Sequence, residues 1–532
     1  MSLREAFPAA PTPAARAAAL DRTWLAMAAF AAVALFGVLA RPLLPIDETR
    51  YLAVAWEMRL SGGWIVPNLN GQLYPDKPPL LFWLINLVWS VTGISETAGR
   101  LVAPAFGVGA IWATSRLATV LWPEDAGVGG RAAMVLAGFA IFSVFASLTM
   151  FDAMLTLAVI LGVLALTAGG DSWRGWAGFG AALAFGVMSK GPVILVHLLP
   201  IALTAPLWAG LTVRRTLSGL GLGLALGLGL VGLWLVPALI TGGPVYREAV
   251  LWTQSAGRMA DSFAHARPWW FFLALVPALI WPFGWSLPLW RRIAALDWRG
   301  ERGLRLALAW AGSALLLFSL MSGKQIHYLL PTLPAAALVF ARAMRGVPPV
   351  TARAAAVPLV GLGLACIAVA FGFGAGGRQA AIFAPPAVMA LAGVGFLALA
   401  VLVLRRLRGP DLAALGLGFA VIVNVVFLLG APGRIYYTGT VAEWIAGAAP
   451  GEVAVIGADY NGEFTFTARL TAPVATLAPS EVDAWLAADP RRQLVARLDR
   501  GPSSPPPRAT TVYRGRPYGV WGGAPAGTPD AQ

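Results

Sequence analysis

The side chains able to do chemistry sit in a few short segments between long apolar runs. The richest segment is LLPIDETRYLAVAWEMRLSGGWIVPNLNGQLYPDKPPLLFWL, at 43–84. Asp47 and Glu48 open it, and Arg50 and Tyr51 follow on a short amphipathic helix. Asp76 and Lys77 then precede a Pro-Pro pair that starts another helix. TMFDAMLT (149–156) carries Asp152, and MSKGP (188–192) carries Lys190. The segment 241–268 contributes Arg258, His265 and Arg267, and SGKQIHYLLP (322–331) contributes Lys324, His327 and Tyr328. Each has a plain reading alone: a lone Asp caps a helix, a Lys before Gly-Pro ends one, an Arg at a span end anchors to headgroups. Together they are what a site handling phosphate requires. The cations grip the anion, and a carboxylate accepts a proton or steadies developing positive charge.

The elements that position these groups are set by composition. The chain is 58% hydrophobic and 12% charged, with mean hydropathy +0.72. A soluble domain carries about 25% charged residues. Disorder, a fibrous repeat and an ordinary soluble enzyme are therefore excluded, and spans of roughly 20 apolar residues in a polytopic membrane protein remain. The single cysteine, Cys366, excludes a disulfide framework and a Cys-based metal site. The net charge of +14 points to anionic lipid or phosphate-bearing substrates rather than nucleic acid, because the arginines lie in short loops between apolar runs.

The expected fold is an all-α polytopic membrane protein of about 13 transmembrane helices with a small C-terminal α/β domain. The apolar runs are 23–40, 101–121, 132–150, 153–169, 176–189, 193–210, 217–240, 269–288, 306–321, 328–341, 355–374, 384–404 and 412–430. The first is taken as an uncleaved span rather than a signal peptide. With the N-terminus in the cytoplasm, 19 Lys and Arg fall inside, eleven in outer loops and nine after residue 431. The excess inside fits the positive-inside rule. Residues 1–22 are then a cytoplasmic lead and 23–431 the membrane domain, with 41–100 one long outer loop. Residues 432–532 form an outer soluble domain, with strands at 453–457, 463–469, 472–477 and 493–498 and a helix at 480–490 capped by Ser480. The 15-residue run 79–93 is short for a span and would invert every later loop if counted as one. It is therefore read as an interfacial helix with its tryptophans at headgroup level. The glycines of SGLGLGLALGLGL (218–230) resemble a dinucleotide loop, but Gly219, Gly223 and Gly227 lie four apart inside a span, where small residues let helices pack closely. His197, inside an apolar run, reads as a satisfied core residue.

With these boundaries Arg116, near an inner span end, is the main ionisable group inside the spans. Pumps and coupled transporters carry such groups at mid-membrane depth. A lipid or glycan flippase needs a polar path across the bilayer. An enzyme needs polar groups at one face only, and that is the pattern seen.

DETRY (47–51), SGGWIVPNLNG (61–71) and DKPPL (76–80) resemble the first periplasmic loop of the bacterial aminoarabinose lipid A transferases. These belong to the C-type (GT-C) glycosyltransferases, alongside the protein O-mannosyltransferases. FDAMLT (151–156), SKGP (189–192), HARPWW (265–270) and KQIHYLLP (324–331) match later blocks in the same order, and the likeness covers roughly residues 23–345. It implies an enzyme of the bacterial inner membrane. A sugar would pass from a polyprenyl-phosphate carrier such as undecaprenyl phosphate to lipid A or another envelope glycan at the periplasmic face, with inversion. Protein O-mannosylation is the alternative acceptor class. By the same resemblance Asp47 and Asp152 are the catalytic acids. Arg50 and Lys77 hold the carrier phosphate, with Glu48, Tyr51, Lys190, Arg258, Arg267, Lys324, His327 and Tyr328 as further substrate contacts. No cofactor is required, and a divalent metal near Asp76 and His265 is left open.

The charge map makes a prediction. A reporter fused after Gln532 should be periplasmic and one in the 291–305 loop cytoplasmic. A cytoplasmic C-terminus would mean that 79–93 spans, or that another run does not.

Overall fold

The computed structural model describes residues 13–252, 266–346, 349–373, 385–457 and 460–523. Among them, nine helices are long and apolar enough to cross a membrane, making the chain an integral membrane protein. The first half runs α1 (Pro13–Ala40), α2 (Asp47–Ser61), α3 (Leu80–Thr92), α4 (Glu96–Leu121), α5 (Val128–Gly138), α6 (Ala140–Phe145), α7 (Phe151–Gly169), α8 (Trp173–Lys190), α9 (Val193–Leu203), α10 (Ala205–Trp208) and α11 (Val213–Thr241). Long apolar helices at 302–320, 326–343, 353–370, 386–405 and 409–429 follow. Nine of the thirteen apolar runs are these long helices. Of the other four, α8 is an unbroken 18-residue helix with Arg174 and Lys190 near its ends, and three are interrupted: α5 with α6, α9 with α10, and Phe271–Leu279 with a 3-10 turn at Phe283–Trp285. The last two carry internal prolines, at Pro200 and Pro277, each of which removes a helix hydrogen bond. At the α5–α6 break Phe139 is extended and the Ala140 N–H donates to the Trp281 carbonyl at 3.4 Å, while Gly138 packs closely on Ala413.

Small residues do pack helices together. A Cβ on Gly219 would meet the Trp176 ring at 2.2 Å, and one on Gly227 would meet the Gly180 carbonyl at 3.1 Å. The glycines of α11 therefore let α8 approach. His197 is fully buried against Phe318, with ring centroids 5.0 Å apart, but neither of its nitrogens has a hydrogen-bond partner among the described residues. It is a core residue, though not a satisfied one.

The loops segregate by charge and contact. Arg342 bridges Glu301 at 2.7 Å and Glu124 at 2.9 Å, and Asp125 pairs with Arg131 at 2.5 Å. All of these come from segments assigned to the inner face. Segments assigned to the outer face meet one another at the opposite end. This pairing holds only if α3 does not cross. At 13 residues α3 is about 20 Å long, short of a hydrocarbon core of about 30 Å. It lies against α2 and α4 rather than resting on the surface. Trp89 is buried, its indole donating to the Ser95 carbonyl at 2.7 Å. Trp83 on the same helix is half-buried, its indole donating to the Trp64 carbonyl at 2.7 Å. Leu87 and Val91 form the exposed side of the helix.

A second correction concerns charge inside the spans. Arg100 lies on the first turns of α4, is 1% exposed, and pairs with Glu48 at 3.3 Å and Glu96 at 3.0 Å. Its guanidinium also donates to the carbonyls of Val38, Arg41 and Pro42. Glu48 receives the backbone N–H and hydroxyl of Thr149, both at 2.9 Å, and the N–H of Leu44. One buried carboxylate thus ties together the end of α1, the start of α2, α4 and the entry to α7.

The tail carries a five-stranded sheet in the order β4-β3-β5-β7-β6. Its strands are β3 (Val453–Ile456), β4 (Ala475–Leu477), β5 (Gln493–Arg497), β6 (Ala509–Tyr513) and β7 (Arg516–Gly522). β4 and β5 flank β3 in parallel, and β7 is antiparallel to both β5 and β6. Three expected strands are present. The stretch 463–469 is a turn instead, because its aromatics are drawn in two directions. Phe464 packs into the tail core, while Phe466 stacks on Trp89 at 5.2 Å. Ser480 lies within a 3-10 turn rather than at a cap, and the helix proper is Val482–Ala487. β6 and β7 were not anticipated. The tail docks on a hairpin of the first loop, β1 (Asn68–Leu69) and β2 (Gln72–Leu73), turned by Asn70-Gly71 with positive φ at both residues. Asn70 exchanges two hydrogen bonds with Val474, at 2.9 and 2.7 Å.

Burial by itself would raise the Glu48 carboxyl, but Arg100, Arg41 and the hydrogen bonds from Thr149 and Leu44 hold it below the ordinary carboxylate range. A lowered native value makes stability full above the unfolded value, about 4.3, and lost as pH falls below it. Glu48→Ala should cost about 3–5 kcal/mol, because Arg100 is left buried with less compensation. Thermal unfolding in detergent should show that loss at pH 7, and the decline of stability below pH ~4.3 should be shallower in the variant.

Candidate active site

α2 begins at Asp47 with no side-chain cap, so Asp47 and Glu48 supply negative charge to its first turn. Helical spacing turns them apart. Glu48 points inward to Arg100 and has both oxygens occupied, so it is not a substrate contact but the fixed floor on which Asp47 stands. Asp47 faces the cleft, its side chain 46% exposed. It accepts from Arg50 one turn on at 3.2 Å and from the Tyr51 hydroxyl at 3.1 Å. Burial, then Asp47 and Tyr74, push the Tyr51 phenol well above its ordinary value, so it remains a donor. Arg50 also lies within electrostatic reach of Asp76.

Lys77 is held beside this group by the Pro75–Pro79 turn, its ammonium 6.0 Å from the centre of the Phe151 ring. That ring is the floor of the cleft. It packs edge-on against Tyr51 at 4.7 Å and Phe82 at 5.9 Å. Asp152, the next residue on α7, is 2% exposed and accepts from Lys190 at the end of α8 at 2.6 Å. It also lies within electrostatic reach of His327 and Lys77. Lys190 in turn lies 5.1 Å from the Tyr328 ring, and His327 is within electrostatic reach of Asp47, Lys77, Asp152 and Lys190. Four sequence segments therefore meet at one place, bringing together Asp47, Arg50, Tyr51, Asp76, Lys77, Asp152, Lys190, His327 and Tyr328.

Two expected residues lie elsewhere. Lys324 is buried, donating to the carbonyls of Arg267, at 3.0 Å, and Met321. It fastens the 322–324 turn to 266–267, beside an isolated bridge between Ala266 and Gly323, and Arg267 is exposed. Arg258 and His265 lie outside the described residues. Sequence reasoning missed Arg100, Tyr74 and Glu57. The Glu57 carboxylate receives the N–H groups of Asn70 and Gly71 at 2.6 and 3.0 Å and so fixes the hairpin on α2. An Arg just inside the outer end of an apolar run, four residues after Glu96, was a usable signal for Arg100.

From Lys77 and Lys190 a groove of about 390 Å³ runs between α8 and α11. Its head is Asp76, Lys77 and Lys190, and its body is Leu183, Val187, Leu224, Leu228, Val231 and Leu235. Such a groove suits an amphiphile with an anionic head and a hydrocarbon tail. Among the described residues no cluster of three or more His, Cys, Asp and Glu could hold a metal.

The fold is of the GT-C type, a membrane helical bundle with one polar cleft and a C-terminal sheet. In sequence and architecture the chain is similar to the aminoarabinose transferases. Residues 76–240 match the family model described as dolichyl-phosphate-mannose-protein mannosyltransferase. An undecaprenyl phosphate-alpha-4-amino-4-deoxy-L-arabinose arabinosyl transferase of Pseudomonas fluorescens is 33% identical over 308 residues, 55% of this chain and 52% of that protein. The corresponding Pseudomonas aeruginosa protein is 30% identical over 305 residues, 56% and 55% of the two chains. The chain thus matches about half the length of these relatives. The crystal structure of ArnT from Cupriavidus metallidurans bound to undecaprenyl phosphate superposes with a TM-score of 0.73 at 21% identity, covering 93% of this chain and 97% of that one.

The Asp152–Lys190 contact yields a stability test. Lys190→Met leaves a carboxylate buried and unpaired and should cost about 3–5 kcal/mol. Adding Asp152→Asn should recover part of that loss. Equal losses in the single and double variants, measured by thermal unfolding in detergent, would show that the pair is not coupled.

Proposed function

We propose that this protein is a polyprenyl-phosphate-sugar-dependent glycosyltransferase of the bacterial inner membrane. It transfers the sugar to lipid A or another envelope acceptor at the periplasmic face, with inversion at the anomeric carbon. The observation that carries this reading is the apolar groove headed by Lys77 and Lys190, with Asp47 and Arg50 beside it. An isoprenoid phosphate has the matching chemistry, an anionic head joined to an apolar chain.

The chemistry follows from what each group can do. The anomeric C–O bond breaks and its electron pair leaves with the polyprenyl phosphate. The negative charge that grows on that phosphate is met by Arg50 as a planar fork and by Lys77 as a compact charge, so departure needs no proton. The acceptor oxygen bonds to the opposite face of the anomeric carbon. Asp47, on the exposed side of the cleft, steadies the oxocarbenium-like charge. It takes the proton when the acceptor is a hydroxyl, and has none to take when the acceptor is an ionised phosphate. Asp152 is a positioning residue that holds Lys190. A protein hydroxyl is the second acceptor reading, favoured by the family model matched over 76–240.

Lys77→Ala should weaken binding of the sugar-loaded carrier and of plain undecaprenyl phosphate by a similar factor, about 10- to 150-fold for one charge-assisted contact. Asp47→Asn should abolish transfer to lipid A, read by mass spectrometry, while carrier binding persists. Unchanged carrier affinity in purified, monodisperse Lys77→Ala protein would remove Lys77 from the site.

A further inference from the structure

The tail contains a second polar cavity that the transfer chemistry above does not use. Residues 432–532 hold nine arginines and nine acidic residues, a balanced set. Their distribution is not balanced. Four of the arginines, Arg497, Arg500, Arg514 and Arg516, line one cavity of about 510 Å³ together with Tyr513 and Tyr518. Glu463 is the acid among the cavity's described lining residues.

The place of the cavity in the fold is informative. β3 is flanked by β4 on one side and β5 on the other, and the chain crosses from one side to the other between them. The cavity opens at the carboxyl ends of β3 and β5, lined there by Ile456, Gly457 and Arg497. In open α/β sheets this is where ligands bind. The β6–β7 hairpin closes it, bringing Arg514 and Arg516.

The lining is unsatisfied. The Tyr513 hydroxyl has no hydrogen-bond partner among the described residues although the residue is 2% exposed, and the Arg497 Nε is in the same state. Of the four arginines, only Arg497 makes an ion pair among the described residues, with the exposed Asp499. Buried donors in native proteins are normally paired. Tyr513 and Arg497 both line a hollow large enough for a sugar-sized ligand.

The cavity also adjoins the active site. A Cβ on Gly462 would lie 2.8 Å from Ala53 on α2, so the turn that carries Glu463 rests on the helix that carries Asp47 and Arg50. Glu463 lies within electrostatic reach of Arg514 on the tail side and Arg50 on the cleft side.

We propose that this cavity holds the phosphorylated sugar headgroup of the acceptor. The arginine forks would take its phosphate and the tyrosine rings would lie against the sugar, presenting the headgroup to the cleft. This inference rests on the glycosyltransferase reading and names where its acceptor is gripped.

The test uses the full chain in detergent, with a glucosamine disaccharide bisphosphate as headgroup probe. The dephosphorylated disaccharide and inorganic phosphate are the controls, and undecaprenyl phosphate is a separate ligand. Arg514 has a φ of 51° before Gly515, so Arg514→Asn suits the turn and removes the charge without strain. Combined with Arg516→Ala it should weaken binding of the bisphosphate by about tenfold or more. It should raise the acceptor KM in transfer and leave the affinity for undecaprenyl phosphate unchanged. Tyr513→Phe, which keeps the ring, should weaken the bisphosphate by a smaller factor. Failure of the bisphosphate to bind, equal binding of the dephosphorylated sugar, or equal binding by wild type and double variant would each overturn the proposal. So would inorganic phosphate binding as tightly as the bisphosphate. Loss of undecaprenyl phosphate binding in the wild type would instead sink the glycosyltransferase reading itself.

Discussion

Glu48 and Arg100 meet at 3.3 Å with almost no exposure to solvent. Neither charge could remain there alone, since burying an unpaired ion costs far more than a helix contact returns. Each is therefore wrapped by several partners. Arg100 spends its remaining donors on the carbonyls at the end of α1, and Glu48 takes the N–H and hydroxyl of Thr149 just before α7. The result is a rigid joint among four segments distant in sequence. Asp47 is the residue before Glu48, and Phe151 and Asp152 follow Thr149 by two and three positions. The joint thus fixes both sides of the cleft at once.

The cleft then divides its charges by exposure. Asp152 is fully enclosed and committed to Lys190, whereas Asp47 stays half exposed and is oriented rather than neutralised by Arg50 and Tyr51. Low dielectric strengthens the inner pair and leaves the outer carboxylate available. The aromatic floor of Tyr51, Phe82 and Phe151 keeps the lysines near an apolar surface. A hydrocarbon tail and an anionic head can therefore be accommodated within one continuous groove.

The tail is tied to the same face. Phe466 inserts between Trp56 and Trp89, Arg469 covers Trp56, and Asn70 clasps Val474. These contacts join the soluble sheet to α2 and α3, the helices that frame the cleft. At the other end, Arg131 and Arg342 with Glu124, Asp125 and Glu301 knit the inner loops. One end is thus knitted by ion pairs, while the other carries the polar cleft.

Hydrophobic period and charge placement determined much of this protein from sequence alone. Apolar run length marked out most of the helices, and Asp47, Arg50, Lys77, Asp152, Lys190 and His327 stood out together because charge is costly within a bilayer and concentrates in the short segments between apolar runs. Local pattern could not say which way a charge points. Asp47 and Glu48 are adjacent and chemically alike, yet helical geometry sends one to the cleft and the other to Arg100. Lys190 and Lys324 look equivalent in sequence, but one faces Asp152 and the other a pair of carbonyls. The 463–469 stretch alternates like a strand and becomes a turn because Phe464 and Phe466 are claimed by two different cores. The arginines of the tail are scattered over 497–516 and gather only when β5 and the β6–β7 hairpin fold beside β3. Such choices depend on long-range contacts that no local window contains, so only the tertiary structure could make them.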